Sequence, residues 1–193
     1  MVTQLVEPRL LTYEDYLALP ETVQRYEIID GEMIMTPAPN AEHQWIVGNL
    51  YRLLFDFAQR TQVGVVLTAP LDVLITRQPL RTRQPDVLFL SAQRTGLTNR
   101  QSLRGLQSLE MAPDLVVEVL SPSENPTDLA EKLADYALIG VQECWLVDPE
   151  TETVEVVRWS GEGKEVRELF DSGDTLRSQV LPLLKLPVTE VFA

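Results

Sequence analysis

Apolar positions along the chain change period several times, and each change marks an element. Thr12 followed by "YEDYLAL" predicts a short helix ending near Pro20, with the Thr12 hydroxyl as its cap and Asp15 placed as in a capping box. "RYEIIDGEMIMT" then predicts two strands joined by Asp30-Gly31, the strongest short hairpin signal a sequence offers. With a two-residue turn, Ile29 faces Glu32 and Glu27 faces Ile34, so Glu27 and Glu32 share one face of the hairpin. From Asn40 onward Ile46, Val47, Leu50, Leu53, Leu54 and Phe57 recur at helical spacing and predict the long helix of the domain.

"VGVVLT", "LDVLIT" and "PDVLFL" predict strands, followed by a long polar connection. In "PDLVVEVL" five of the six residues from Leu115 to Leu120 are Leu or Val, the near-continuous run of a central strand covered on both faces, and the sixth is Glu118. Asn125 as cap, Pro126 at the first helical position, Asp128 in the first turn and Gly140 past the end predict a helix. "ECWLVD", "TVEVVRW" and "VRELF" continue as strands, with "DPETE", "SGEGK" and "DSGD" as turn clusters. The order predicts an α/β fold with a mixed sheet: an antiparallel hairpin first, a strand-helix-strand unit from Leu115 to Val147, and hairpins at the C-terminus.

Composition narrows the class. At 193 residues and 45% apolar content the chain is expected to form one domain, residues 1–193, with a sizeable core. The apolar runs are too short to span a bilayer and "MVTQLVEPRL" lacks a signal-peptide design, so a cytoplasmic protein is expected. Cys144 has no second cysteine to pair with and reads as a small buried hydrophobe. His43 is the sole histidine, which excludes a Cys/His zinc cage and leaves oxygen to hold any metal. The net charge of −13 at first argues against nucleic acid, but it is local: Met1 to Glu110 carries 10 basic and 12 acidic residues, Met111 to Ala193 carries 6 and 17. Between Arg77 and Arg104 six arginines accompany a single acid, Asp86. Taken alone, that segment reads as a solvated arginine-rich loop before it reads as a phosphate-binding patch.

Glu118 is the residue that needs explaining. It is an outward residue of a half-exposed strand, one half of a buried ion pair with an arginine such as Arg83, or a metal ligand; if it is buried, it needs a cation. Asp114 shares its face, but four strand residues at roughly 3.3 Å each separate the two by about 13 Å. Two oxygens on one Mg²⁺ must lie within roughly 4 Å of each other, so Asp114 is a poor co-ligand. Asp86 qualifies if "PDVLFL" and "PDLVVEVL" are neighbouring strands. Either aspartate by itself reads as a strand-end acid bonded to nearby backbone.

"QPD", "APDLVVEVLSPS", "DLAEKLADY" and "ECWLVDPE", preceded by "YEIIDGE" and "EHQ", resemble the Uma-two family, a restriction-endonuclease-like branch of the PD-(D/E)XK nucleases, over about Thr12 to Phe192. The resemblance implies a restriction-endonuclease-like mixed β-sheet core flanked by helices. It also implies a Mg²⁺- or Mn²⁺-dependent endonuclease acting on nucleic acid, with DNA as the expected substrate and a homodimer as the expected assembly. Carried over by residue, Asp86 and Glu118 are the catalytic acids and metal ligands, with a backbone carbonyl near Val119 and waters beside them. Glu27 is the upstream catalytic acid, with Glu32 as the alternative. The lysine of the motif would fall at Leu120, and Lys132 of the following helix is the substitute; its other reading is a surface ion pair with Asp128. His43 and Tyr136 are expected beside the site, or else in a local helix hydrogen bond and the core respectively. Arg77, Arg81 and Arg83 are the expected nucleic-acid contacts. Leu120 and the acidity keep open a catalytically silent domain that binds nucleic acid or a protein.

Overall fold

The computed structural model describes residues 9–20, 25–122, 125–160 and 164–193. The first eight residues of "MVTQLVEPRL" and the middle of the "SGEGK" turn lie outside them. Helix α1 (Tyr13–Leu17) carries the expected capping box, Thr12 and Asp15 each bonding the other's backbone N–H. Strands β1 (Tyr26–Ile29) and β2 (Glu32–Met35) form the expected hairpin, with Glu27 opposite Ile34 and Ile29 opposite Glu32. Asp30 and Gly31 both have positive φ, 52° and 86°, as a two-residue turn that follows strand twist requires. Helix α2 (Ala41–Thr61) starts at Asn40, whose side chain accepts the His43 N–H.

Next come β3 (Gly64–Thr68), β4 (Val73–Arg77), β5 (Leu80–Arg83), β6 (Val87–Ser91) and the one-turn α3 (Ala92–Thr95). Strand β7 (Leu115–Val119), helix α4 (Pro126–Ile139) and strand β8 (Glu143–Asp148) are the strand-helix-strand unit, and β7 and β8 pair in parallel as such a crossover dictates. Strands β9 (Thr153–Trp159) and β10 (Glu165–Phe170) form the C-terminal hairpin. The two-residue strands β11 (Thr175–Leu176) and β12 (Leu186–Pro187) pair with each other, and α5 (Thr189–Phe192) packs on α2.

Two sheets carry the fold. The larger has the order β10-β9-β8-β7-β6-β3, and the smaller the order β2-β1-β5-β4. Alternate residues of the central strands point to opposite layers. Val87, Phe89, Leu115, Val117 and Val119 pack with Ile46, Leu50 and Leu54 of α2. Leu88, Leu90, Val116, Cys144 and Leu146 pack with Leu133 and Tyr136 of α4. Cys144 is fully buried, as a small hydrophobe. Covered on both faces, β7 is the central strand its apolar run announces, and Glu118 lies on the α4 side of it.

Strand β5, "LRTR", was not legible as a strand, and it corrects the reading of its arginines as part of a solvated loop. Its Leu80 and Thr82 are buried and Arg83 is only 4% exposed, while Arg81 is half-buried, so neither arginine is a solvated loop residue. Ion pairs described below make that burial possible. Among the described residues no helix is long and apolar enough to cross a membrane.

Candidate active site

Strands β6 and β7 are antiparallel neighbours, with Val87 opposite Val117. One further step along that register sets Asp86 across from Glu118, on the same face, as expected if the two strands were adjacent. Both side chains are buried, 4% and 3% exposed, at the floor of a cleft of about 920 Å³ that Arg25, Glu27, His43, Arg83 and Lys132 also line. Asp114 sits at the other end of β7, where it accepts bonds from the Ser91 N–H, Arg94 and Gln142; it is a strand-end acid.

Each oxygen of the facing pair has protein donors. Asp86 Oδ1 accepts from Arg25 Nη1 at 2.9 Å, while Oδ2 accepts the Val119 N–H at 2.9 Å and lies 3.2 Å from His43 Nε2. The Val119 N–H is thus bonded directly to the aspartate. Glu118 Oε2 is 3.2 Å from Lys132 Nζ, and Oε1 accepts a short hydrogen bond from the Tyr136 hydroxyl. The buried partner of Glu118 is thus lysine. Arg83, the arginine considered for that role, binds Glu27 Oε2 at 2.9 Å and Asp135 Oδ2 at 2.7 Å.

Helical spacing explains how one short segment serves both Glu118 and the smaller sheet. Lys132 and Tyr136 are one turn apart on α4 and reach Glu118 together, and Asp135 between them turns to the smaller sheet. There Asp135 takes both Arg83 and Arg81, and Arg81 also binds Asp30 at 3.0 Å. Arg77 lies 4.5 Å over the Tyr13 ring and binds Glu110. All three arginines expected to contact nucleic acid are held by carboxylates in this structure. Glu27 accepts the Gln84 N–H as well as Arg83, whereas Glu32, the alternative upstream acid, is exposed and does not line the cleft. His43 places its backbone N–H on the Asn40 cap and its ring against Asp86.

The electrostatics follow from this packing. Burial pushes the Glu118 carboxyl up to about 7, with the like charges of Asp86 and Glu27 adding to the effect and Lys132 and Tyr136 opposing it. Burial works on Asp86 in the same direction, yet the contacts with His43, Arg25 and the Val119 N–H together hold it below the ordinary aspartate value. Burial and the Glu118 charge drive the Tyr136 hydroxyl far above its usual range, so it remains a donor.

Crowded, desolvated carboxylates of this kind suit a hard divalent cation, and every side-chain acid on the cleft floor offers oxygen. Among the described residues no three His, Cys, Asp or Glu side chains form a ready-made cage. The donor set therefore fits an ion held by one or two carboxylates, with water and substrate phosphate as its remaining ligands, which is the common habit of Mg²⁺.

Sequence reasoning missed Arg25, Gln84 and Asp135. Arg25 stands two residues before Glu27, Gln84 lies inside "QPD", and Asp135 lies inside "DLAEKLADY". Strand and helix periods were the available signals for the outer two.

A mixed sheet flanked by helices is the α/β core of the restriction-endonuclease-like class. The family model described as "Putative restriction endonuclease", Uma2, matches residues 13–189, and the chain belongs to that family. Five chains of solved structures match. One is a protein of Anabaena variabilis described as "a putative nuclease belonging to DUF820"; it superposes with a TM-score of 0.76 at 22% identity, covering 94% of this chain and 97% of that one. At that identity the likeness establishes the fold. No curated protein matches the chain.

Proposed function

We propose that this protein is a metal-dependent endonuclease that hydrolyses phosphodiester bonds of DNA. The observation that carries the reading is the Asp86–Glu118 pair, facing across adjacent strands at the floor of an open cleft with Lys132 3.2 Å from Glu118. Asp86 and Glu118 would hold Mg²⁺ or Mn²⁺. A bound ion of this kind supplies Lewis acidity toward the phosphoryl oxygens and makes water a better nucleophile at neutral pH.

The chain's own residues do the rest. Lys132, half-buried at the cleft wall, would orient the attacking water or stabilise the developing phosphoryl charge. It stands in for the lysine absent at Leu120, whose side chain packs with the apolar layer under α4. Tyr136 holds Glu118 in one rotamer from the buried side. Glu27, clamped by Arg83 and the Gln84 N–H, adds negative charge at the cleft wall that favours a cation there.

Leu120 and the occupation of every carboxylate oxygen by a protein donor favour a second reading, a silent nuclease-like module that binds nucleic acid. One assay separates the two. Supercoiled plasmid incubated with protein and Mg²⁺ or Mn²⁺ should be nicked or linearised, and chelator, Asp86→Asn or Glu118→Gln should lower the rate by about 10²-fold or more. Retention of DNA without cleavage, with either ion, would support the silent module instead.

A further inference from the structure

Arg25 carries an inference beyond the site's general chemistry. Its backbone is fixed at the open end of the first hairpin, where its carbonyl accepts the Thr36 N–H at 3.0 Å. Its side chain reaches across the cleft floor to Asp86 Oδ1, with the second terminal nitrogen on the Gln84 carbonyl. The two partners of Asp86 Oδ2 belong to rigid elements, the N–H of β7 and the imidazole at the start of α2. Arg25 alone among the partners of Asp86 is a long side chain on no helix, 19% exposed to the cleft, with rotatable bonds that let it leave. Its Nε makes no hydrogen bond, so the guanidinium is held at one edge only.

Resting on the nuclease reading above, we propose that Arg25 is a built-in counter-cation that occupies Oδ1 of Asp86, an oxygen a metal would need, until a phosphodiester draws it away. A divalent ion and Arg25 compete for Oδ1. A phosphate entering the cleft offers the guanidinium a bidentate partner of its own, and Asp86 is released as that bond forms. Metal and nucleic acid therefore bind with positive coupling, each strengthening the other by the same factor. The protein would hold its metal weakly when idle and firmly when a phosphodiester is in place. This makes Arg25 a positioning residue for the metal and a contact for the substrate phosphate.

The test is calorimetric titration with Mg²⁺ and with Mn²⁺, on the full chain at neutral pH, without nucleic acid and then with a short duplex. Arg25→Ala should bind metal about tenfold more tightly than wild type in the absence of DNA, and the duplex should strengthen its metal binding less than it strengthens that of wild type. Arg25→Gln, closer in size, should behave alike and serves if the alanine variant does not fold. Adding Asp86→Asn should remove the gain. Metal affinity in both Arg25 variants equal to or below that of wild type would overturn the counter-cation and leave the nuclease reading standing. No metal binding by any of the proteins, with or without duplex, would overturn both.

Discussion

Tyr136 donates its hydroxyl hydrogen to one oxygen of Glu118, and Lys132, one turn earlier on α4, stands against the other. A single helix thus holds both edges of the strand's carboxylate. The hydrogen bond and the ion pair differ in kind: the tyrosine is fully buried and fixed by the core, whereas the lysine borders the cleft.

Tyr136→Phe keeps the ring's packing and removes only the donor. Urea unfolding at pH 8 should show a loss of about 1.5–3 kcal/mol, the usual worth of a hydrogen bond to a charged group. Metal affinity should fall with it, because Glu118 is freed to turn. An unchanged unfolding midpoint would mean that the bond contributes nothing net.

Lys132→Met retains the aliphatic stem and deletes the charge. Its kcat for plasmid nicking should drop by about 10²–10³-fold with KM changed little, since the charge acts on the transition state. Full activity in this variant would show that Lys132 does not replace the lysine missing at Leu120.

Arg83→Met leaves Glu27 and Asp135 without their shared partner in a site where the arginine is 4% exposed. Breaking a buried ion pair by removing one member costs about 3–5 kcal/mol. Arg81→Met should cost less, because Arg81 is more exposed and its partner Asp30 lies at the surface. Equal, small losses in a denaturant series would indicate that α4 is held to the smaller sheet by apolar packing alone.

Asp72 gives a pH dependence away from the cleft. It accepts from Gln84 Nε2 at 2.8 Å and from the Tyr16 hydroxyl at 2.9 Å, and burial raises its carboxyl above the ordinary aspartate value. Between the unfolded and the raised value the native chain binds more protons than the unfolded chain, so stability falls as pH rises through that window. Asp72→Asn should flatten this slope. Its amide can also donate to Gln84 Oε1, which makes no hydrogen bond here, once the Gln84 side chain flips. Thermal unfolding at several pH values checks both; a slope unchanged in the variant would assign it to other groups.

Much of the architecture was written locally. Caps at Thr12, Asn40 and Asn125, the Asp30-Gly31 turn and the period of each apolar run act within a few residues, so α1, α2, α4, the first hairpin and the parallel β7–β8 unit were all legible. Glu118 was conspicuous for the same reason, as one carboxylate in an apolar run. Strand β5 was not, because buried arginines look like surface arginines until Asp135 and Glu27 arrive from elements far along the chain.

The sequence by itself determined that Glu118, once buried, had to find a cation, since burying a lone carboxylate is costly. Only the tertiary structure decided which cation it found. Candidate partners were present in Arg83, Lys132 and a metal ion, and the choice depended on how α4 crosses the sheet. The helix sets Lys132 and Tyr136 over Glu118 and turns Asp135 toward Arg83. It likewise took the fold to bring Arg25 onto Asp86, 61 residues away, because charge pairing depends on distance in space and side-chain spacing along the chain does not encode it.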